Sequence, residues 1–170
     1  RIIFEIILHV ERNGMSIRKL LARSASSMST WGLRHIARRP AANMPGKIAL
    51  KLDPQIIAES MGKVTEGSIV VVGTNGKTTI TNMIADALER QGKTVACNRT
   101  GANLAYGVAT TLLQTKGSVE WGVFESDELW LAHTLPQVQA SYVLLLNLFR
   151  DQLDRCGEID RVQDAIVQAL

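Results

Sequence analysis

Cysteine is scarce in this chain: Cys97 and Cys156 are far apart and form no C-x-x-C pair. That excludes a four-cysteine zinc cage or a disulfide framework within these residues, and it points to two free thiols in a reducing cytosol. Long apolar runs are missing too. The run Ile2 to Leu8 is far too short to span a bilayer, and Glu5 interrupts it. No clean small-residue cleavage site follows it, so it makes a poor secretory signal. What remains is the composition of a soluble globular protein, 46% hydrophobic and 21% charged over 170 residues. That length suits one domain and a short appendage.

Acidic residues are absent from one stretch. Between Met15 and Lys51 stand Arg18, Lys19, Arg23, Arg34, Arg38, Arg39, Lys47 and Lys51 with no acid among them, a segment charge of +8. Residues 1–14 sum to zero and the whole chain to +3, so residues 52–170 carry −5. The sequence pI of about 9.1 therefore describes a leader and not the domain behind it. Such a leader suits an anionic surface, or equally a solvated helix face packed on its own domain. Its one aromatic residue, Trp31, leaves little for base stacking, which argues against a nucleic-acid module. Met15 is a candidate start, with residues 1–14 read as non-native upstream sequence; native mass spectrometry finding residues before Met15 would refute it.

Residues 16–39 alternate basic and apolar positions at helical spacing, broken by the serine-rich stretch Ser24 to Ser29. Pro40 to Gly46 reads as a turn or linker, and Asp53-Pro54 as a cap opening a helix that ends near Met61. The domain division is 1–45 for a leader and linker and 46–170 for an α/β domain. From Ser68 onward, strand and helix alternate. Strands are predicted at 68–72, 94–97, 119–124 and 141–146, and helices at 78–91, 103–114 and 159–170. The β-branched run Ser68-Ile-Val-Val-Val72 suits a buried parallel strand. Strands alternating with helices predict a parallel sheet covered on both faces, with its ligand site beyond the carboxyl ends of the strands. Gly73, Glu125 and Asn147 all fall at those ends.

Between the first strand and its helix lies Gly73-Thr74-Asn75-Gly76-Lys77-Thr78-Thr79. Glycines let a backbone curl around phosphates, a helix N-terminus adds positive potential, lysine neutralises the outer phosphates, and a threonine hydroxyl ligates Mg²⁺. All seven residues are assigned to ATP, with Asn75 and Gly76 as backbone donors. The common G-x-x-x-x-G-K-[ST] pattern would need glycine at position 71, where Val71 stands, so this loop is a shortened form. At the end of the third strand, Glu125 is the candidate second ligand of Mg²⁺ with Thr78; Asp127 and Glu128 are not assigned. Asp151 and Asp154, three apart, share a face of a helical turn after the fourth strand. Their neighbours Arg150 and Arg155 make a purely structural role equally open.

The shortened loop resembles that of the Mur ligases and folylpolyglutamate synthetases, which join a carboxylate to an amine through an acyl-phosphate. Family members carry an Asn and then an Asp-His-x-Asp turn where this chain has Asn147 and Asp151-Gln152-Leu153-Asp154. Gln152 replaces the histidine that helps hold a metal, which leaves a second metal site in question. The run from Asn147 to Asp160, Gly101-Ala102-Asn103-Leu104 with Gly107, and Glu125-Ser126-Asp127-Glu128 are similar to the MurT-like branch, the synthetase subunits of lipid II isoglutaminyl synthase.

The resemblance implies a parallel Mur ligase central domain, incomplete at its C-terminus. It implies amidation of the D-glutamate of the lipid II stem peptide to D-isoglutamine, with ATP, Mg²⁺ and glutamine-derived ammonia. Lys77 and Glu125 would be the catalytic pair, and Asn103, Asp151 and Asp154 would lie on the substrate side. A GatD-like glutaminase would be the partner in a heterodimer. Zinc would belong only to a missing C-terminal part, and residues 15–51 would touch the inner face of the cytoplasmic membrane. This fragment alone is expected to be inactive. The competing readings are an amino-acid-adding Mur ligase or folylpolyglutamate synthetase and, in another class, a P-loop nucleotide-dependent binding protein. Gln152 argues against the first and the shortened loop against the second.

Overall fold

The computed structural model describes residues 44–148 and 159–169. Residues 1–43, which hold most of the basic leader, and Asp151, Gln152 and Asp154 lie outside the described residues. Among the described residues, six α-helices and four strands follow one another: α1 (Met44–Leu52), α2 (Ile56–Ser60), β1 (Val64–Val72), α3 (Lys77–Arg90), β2 (Val95–Cys97), α4 (Ala105–Gln114), β3 (Val119–Glu125), α5 (Leu131–Val138), β4 (Tyr142–Leu145) and α6 (Ile159–Ala169). Short 3-10 turns cover Met61–Lys63 and Glu128–Trp130.

The strands form one parallel sheet in the order β2-β3-β1-β4. The central strand β1 ends in Val70, Val71 and Val72, all fully buried, as a strand covered on both faces requires. Pleating divides these residues. Val70, Val72 and Phe124 join a core with Ala49, Ile56, Ile57, Val108, Leu112, Leu131 and Val138, contributed by α1, α2, α4 and α5. Val71 and Val123 point the other way, the face on which α3 packs with Ala85 and Thr81 buried. Val71 pairs with Glu125, so the same alternation puts the last residue of β3 on the α3 side.

The expected parallel α/β sheet is therefore present, and three local readings change. Pro45 and Gly46 do not form a linker but sit in the first turn of α1. Proline is tolerated there because the first helical N–H groups have no intrahelical acceptor. Gly46 is glycine because α1 lies directly on α4: a Cβ would come 1.9 Å from the Tyr106 carbonyl oxygen. The Gly46 N–H donates to Thr110 Oγ1 at 2.9 Å. The Asp53 side chain does accept from the Gln55 N–H at 3.0 Å, but the helix after it begins at Ile56. Finally, α5 is a helix for which no expectation existed. Its buried Leu131, Thr134, Leu135 and Val138 have helical spacing, but Pro136 interrupts the pattern and the element has only 8 residues.

Candidate functional site

The loop after β1 turns through two backbone conformations that favour glycine, Gly73 at φ +144° and Gly76 at φ +86°. Gly73 also has a neighbour against it, since a Cβ would meet the Asn147 carbonyl oxygen at 2.9 Å. Asn147, just beyond β4, holds the loop at three points. Its carbonyl accepts from the Thr74 N–H at 2.9 Å, its Oδ1 accepts from the Asn75 N–H at 3.0 Å, and its Nδ2 donates to the Asn75 carbonyl at 3.0 Å. The Asn75 N–H, expected to face phosphate, is thus engaged by Asn147. The N-terminus of α3 follows at once and no side chain caps it. The Ile80 N–H is bonded to the Gly76 carbonyl, so the N–H groups of Lys77, Thr78 and Thr79 come before the first intrahelical bond of that ladder. Uncapped donors at a helix N-terminus suit an anion.

Lys77 is 9% exposed and lies back along its own loop. Its Nζ donates to the carbonyl oxygens of Gly73 and Thr74 and stands 3.5 Å from Glu128 Oε1. Glu125 is 1% exposed. Burial pushes its carboxyl above the usual glutamate range, while a hydrogen bond with Thr78 and the nearby Lys77 charge pull it down. Its Oε2 is buried with no hydrogen-bond partner among the described residues. An orphaned carboxylate oxygen is costly unless something absent from the protein binds it.

Asn98, at the end of β2, grips the backbone of that glutamate. Its Oδ1 accepts from the Glu125 N–H at 2.9 Å, and its Nδ2 donates to the carbonyls of Glu125 at 3.1 Å and Ala102 at 2.8 Å. Gly101, at φ +75°, lies over the pair: a Cβ there would be 3.4 Å from Thr78 Oγ1 and 3.8 Å from Glu125 Oε1. The cleft so formed has a volume of about 280 Å³ and is lined by Thr74 to Thr79 with Gly101, Asn103 and Glu125. It presents uncapped helix N–H groups, a lysine, and a threonine hydroxyl beside a half-satisfied carboxylate. That donor set fits a phosphate chain carrying a hard, oxygen-seeking cation.

Residues 71–168 match the profile of the Mur ligase middle domain. The chain belongs to the Mur ligase family. It is 36% identical over 159 residues to the lipid II isoglutaminyl synthase (glutamine-hydrolyzing) subunit MurT of Streptococcus pneumoniae, across 92% of this chain and 35% of that protein. Its identity to the corresponding subunit of Staphylococcus aureus (strain COL) is 33% over 151 residues, covering 88% of this chain and 32% of the relative. The chain thus spans about a third of the length of these curated relatives. Among solved structures, MurF ligase from Thermotoga maritima in complex with ADP superposes with a TM-score of 0.61 at 21% identity, over 74% of this chain and 29% of that one. That likeness shows the Mur ligase fold.

Within this Mur ligase domain, loop residues 74–79 and Glu125, expected at neighbouring strand ends, meet in one cleft, which Asn103, expected on the substrate side, also lines. Asp151 and Asp154 lie outside the described residues. Two residues beside the cleft went unassigned. Glu128, 4% exposed, reaches Lys77 from a 3-10 turn capped by Asp127, whose Oδ1 accepts from the Leu129 N–H at 3.1 Å. Asn98, 2% exposed, offered one signal: a polar residue immediately after a strand on the ligand edge. Among the described residues no helix is long and apolar enough to cross a membrane.

Proposed function

We propose that this domain is the ATP-binding part of a synthetase subunit that amidates the D-glutamate of the lipid II stem peptide to D-isoglutamine. The observation that carries the reading is Glu125 Oε2, buried with no partner among the described residues, beside Thr78 and Lys77 in a cleft floored by an uncapped helix. The similarity to the MurT subunits supports the choice of substrate class. UDP-N-acetylmuramate–L-alanine ligases match over a smaller share of the chain, 64% in Rhodospirillum rubrum.

In this reading the triphosphate lies along the loop, and the N–H groups of Lys77, Thr78 and Thr79 face its oxygens. Thr78 and Glu125 hold Mg²⁺, which when bound neutralises phosphate charge. A carboxylate oxygen of the D-glutamate attacks the γ-phosphorus, the bond from that phosphorus to the β–γ bridging oxygen breaks, and ADP leaves. Lys77 stabilises the charge that accumulates on the transferring group. Ammonia, released from glutamine by a GatD-like glutaminase partner, attacks the acyl carbon. Inorganic phosphate departs and the nitrogen loses a proton, leaving the amide. Asn103, Asp151 and Asp154 form the substrate side. Residues 15–51, with their +8 charge, bring the subunit to the inner, cytoplasmic face of a membrane that holds the lipid-linked substrate.

The test uses the full-length protein co-expressed with its glutaminase. Glutamine- and Mg·ATP-dependent amidation of lipid II is expected, and Lys77→Ala lowers it by about 10²–10³-fold. ATP binding without amidation, but with amino-acid addition to a peptidoglycan precursor, would move the function to an amino-acid-adding ligase. No Lys77-dependent ATP binding would overturn the reading.

A further inference from the structure

Lys77 and Glu128 meet across 51 positions of sequence, both almost wholly buried. The lysine is not aimed freely into the cleft. It is folded onto the Gly73 and Thr74 carbonyls, with Glu128 Oε1 at 3.5 Å as its anionic neighbour. Glu128 does not line the cleft, and its turn is fixed from two sides: Asp127 N–H donates to the Asn103 carbonyl at 2.8 Å, and Asp127 Oδ1 accepts from Leu129 N–H. The carboxylate is thus held in place by a rigid turn, whereas the lysine has a long flexible stem.

We infer that Glu128 is a positioning residue that acts through Lys77: it is an internal stand-in for the outer phosphates, holding the ammonium in the empty loop and competing with nucleotide for it. This rests on the nucleotide reading of the cleft. A buried ammonium needs a counter-ion. With no nucleotide bound, Glu128 supplies the one in direct contact, Glu125 adds charge nearby, and the two carbonyls accept the remaining hydrogen bonds. When a triphosphate arrives, Lys77 swings to it and the loose 3.5 Å contact with Glu128 is given up. The contact then stabilises only the nucleotide-free state, and anything that stabilises that state alone weakens binding.

The experiment is calorimetric titration of Mg·ATP and AMP into the full-length complex, with thermal melts of empty and saturated protein, for parent and Glu128→Gln. The isosteric amide is expected to tighten Mg·ATP about 3–10-fold, the order of one ion pair, and to leave AMP unchanged, since AMP has no outer phosphate. The empty protein melts lower and the saturated protein melts with the parent. In a Lys77→Ala background the tightening vanishes. Glu128→Asp keeps the charge but draws it back by one methylene; it falls between parent and amide, and serves if the amide folds poorly. Equal loss of stability in empty and saturated protein with unchanged affinity would make Glu128 merely structural. Weaker Mg·ATP binding would mean that it supports the bound lysine. Either overturns the inference. A parent that binds Mg·ATP through Lys77 while Glu128→Gln fails to tighten it would sink this inference alone; a parent that does not bind would sink the nucleotide reading itself.

Discussion

The two ends of one sheet each carry a lysine among glutamates, and they are built in opposite ways. At the amino end, Lys93 sits between Glu66 and Glu120 at 2.7 and 2.8 Å, roughly one-third exposed, with each carboxylate held again elsewhere. Trp121 Nε1 donates to Glu66 Oε2 at 2.8 Å, and the Thr94 N–H donates to Glu120 Oε2 at 2.8 Å. At the carboxyl end, Lys77 stands 3.5 Å from Glu128, both buried, and Glu125 keeps an oxygen without a partner among the described residues. The short, saturated, wet cluster has nothing left to bind. The long, dry one leaves a carboxylate oxygen unpartnered among the described residues, the mark of a candidate ligand site. Ion-pair geometry alone points to the amino end; unmet valence in low dielectric points to the carboxyl end, where the candidate site lies.

The sharpest way to break this comparison is Glu125→Gln. If the orphaned carboxylate is the cation ligand, Mg·ATP-dependent turnover of the full-length complex falls by about 10²–10³-fold, as for loss of a group stabilising transition-state charge. The nucleotide-free protein should respond in the opposite sense. Burial raises the Glu125 carboxyl above the usual glutamate value, so just above that value the folded state holds more protons than the unfolded one. Its contribution to stability is then present at lower pH and lost as pH rises through the folded value. The empty Gln variant is therefore expected to melt above the parent at neutral pH, the gap closing as pH falls. Mg²⁺ needs the ionised form, so parent Mg·ATP affinity should tighten as pH climbs through that window. Equal melting at neutral pH would show that the buried carboxylate costs nothing.

Asn98→Ala tests what holds that carboxylate in place. It strips the acceptor from the Glu125 N–H and the donor from two buried carbonyls, which costs about 1–3 kcal/mol of stability. Chemical denaturation measures the loss. An effect below a few tenths of a kcal/mol would mean that the strand end keeps its position without the amide.

Much of the site was readable because its signals are local. The loop's glycines, lysine and threonines are contiguous, and Gly92, at φ +82°, closes α3 as the sequence pattern requires. Glu125 was legible as the last polar residue of an apolar strand. Glu128 and Asn98 were not, because their roles depend on contacts spanning 51 and 27 positions, which only the sheet order brings together. The segments misread or left unread have an equally physical cause. Pro45, Gly46 and Pro136 are breakers in isolation, yet Pro45 uses a helix's unpaired first turn and Gly46 a crossing too tight for a Cβ. Composition marks a residue as a breaker without saying which neighbour has made use of it.

The smallest effect belongs to the opposite end of the sheet, and it completes the contrast. Lys93→Ala removes the closest lysine–glutamate contacts described, yet exposed pairs are screened and contribute little. The melting temperature should drop only slightly, less so in high salt, with nucleotide affinity unchanged. The pH dependence should still be visible, with the sign opposite to that of Glu125. Hydrogen bonds from Lys93 and Thr94 hold the Glu120 carboxyl down at about 2. A depressed carboxyl contributes stability above its unfolded value and loses it as pH falls through the folded one. The parent should therefore lose stability more steeply than Lys93→Ala between the ordinary glutamate range and about 2. Melts across that acid limb decide it. Parallel acid limbs would mean that Thr94 alone holds Glu120. A large loss at neutral pH would mean that the amino-end cluster is a support of the fold comparable to Asn98, and the distinction between a saturated end and a waiting one would fail.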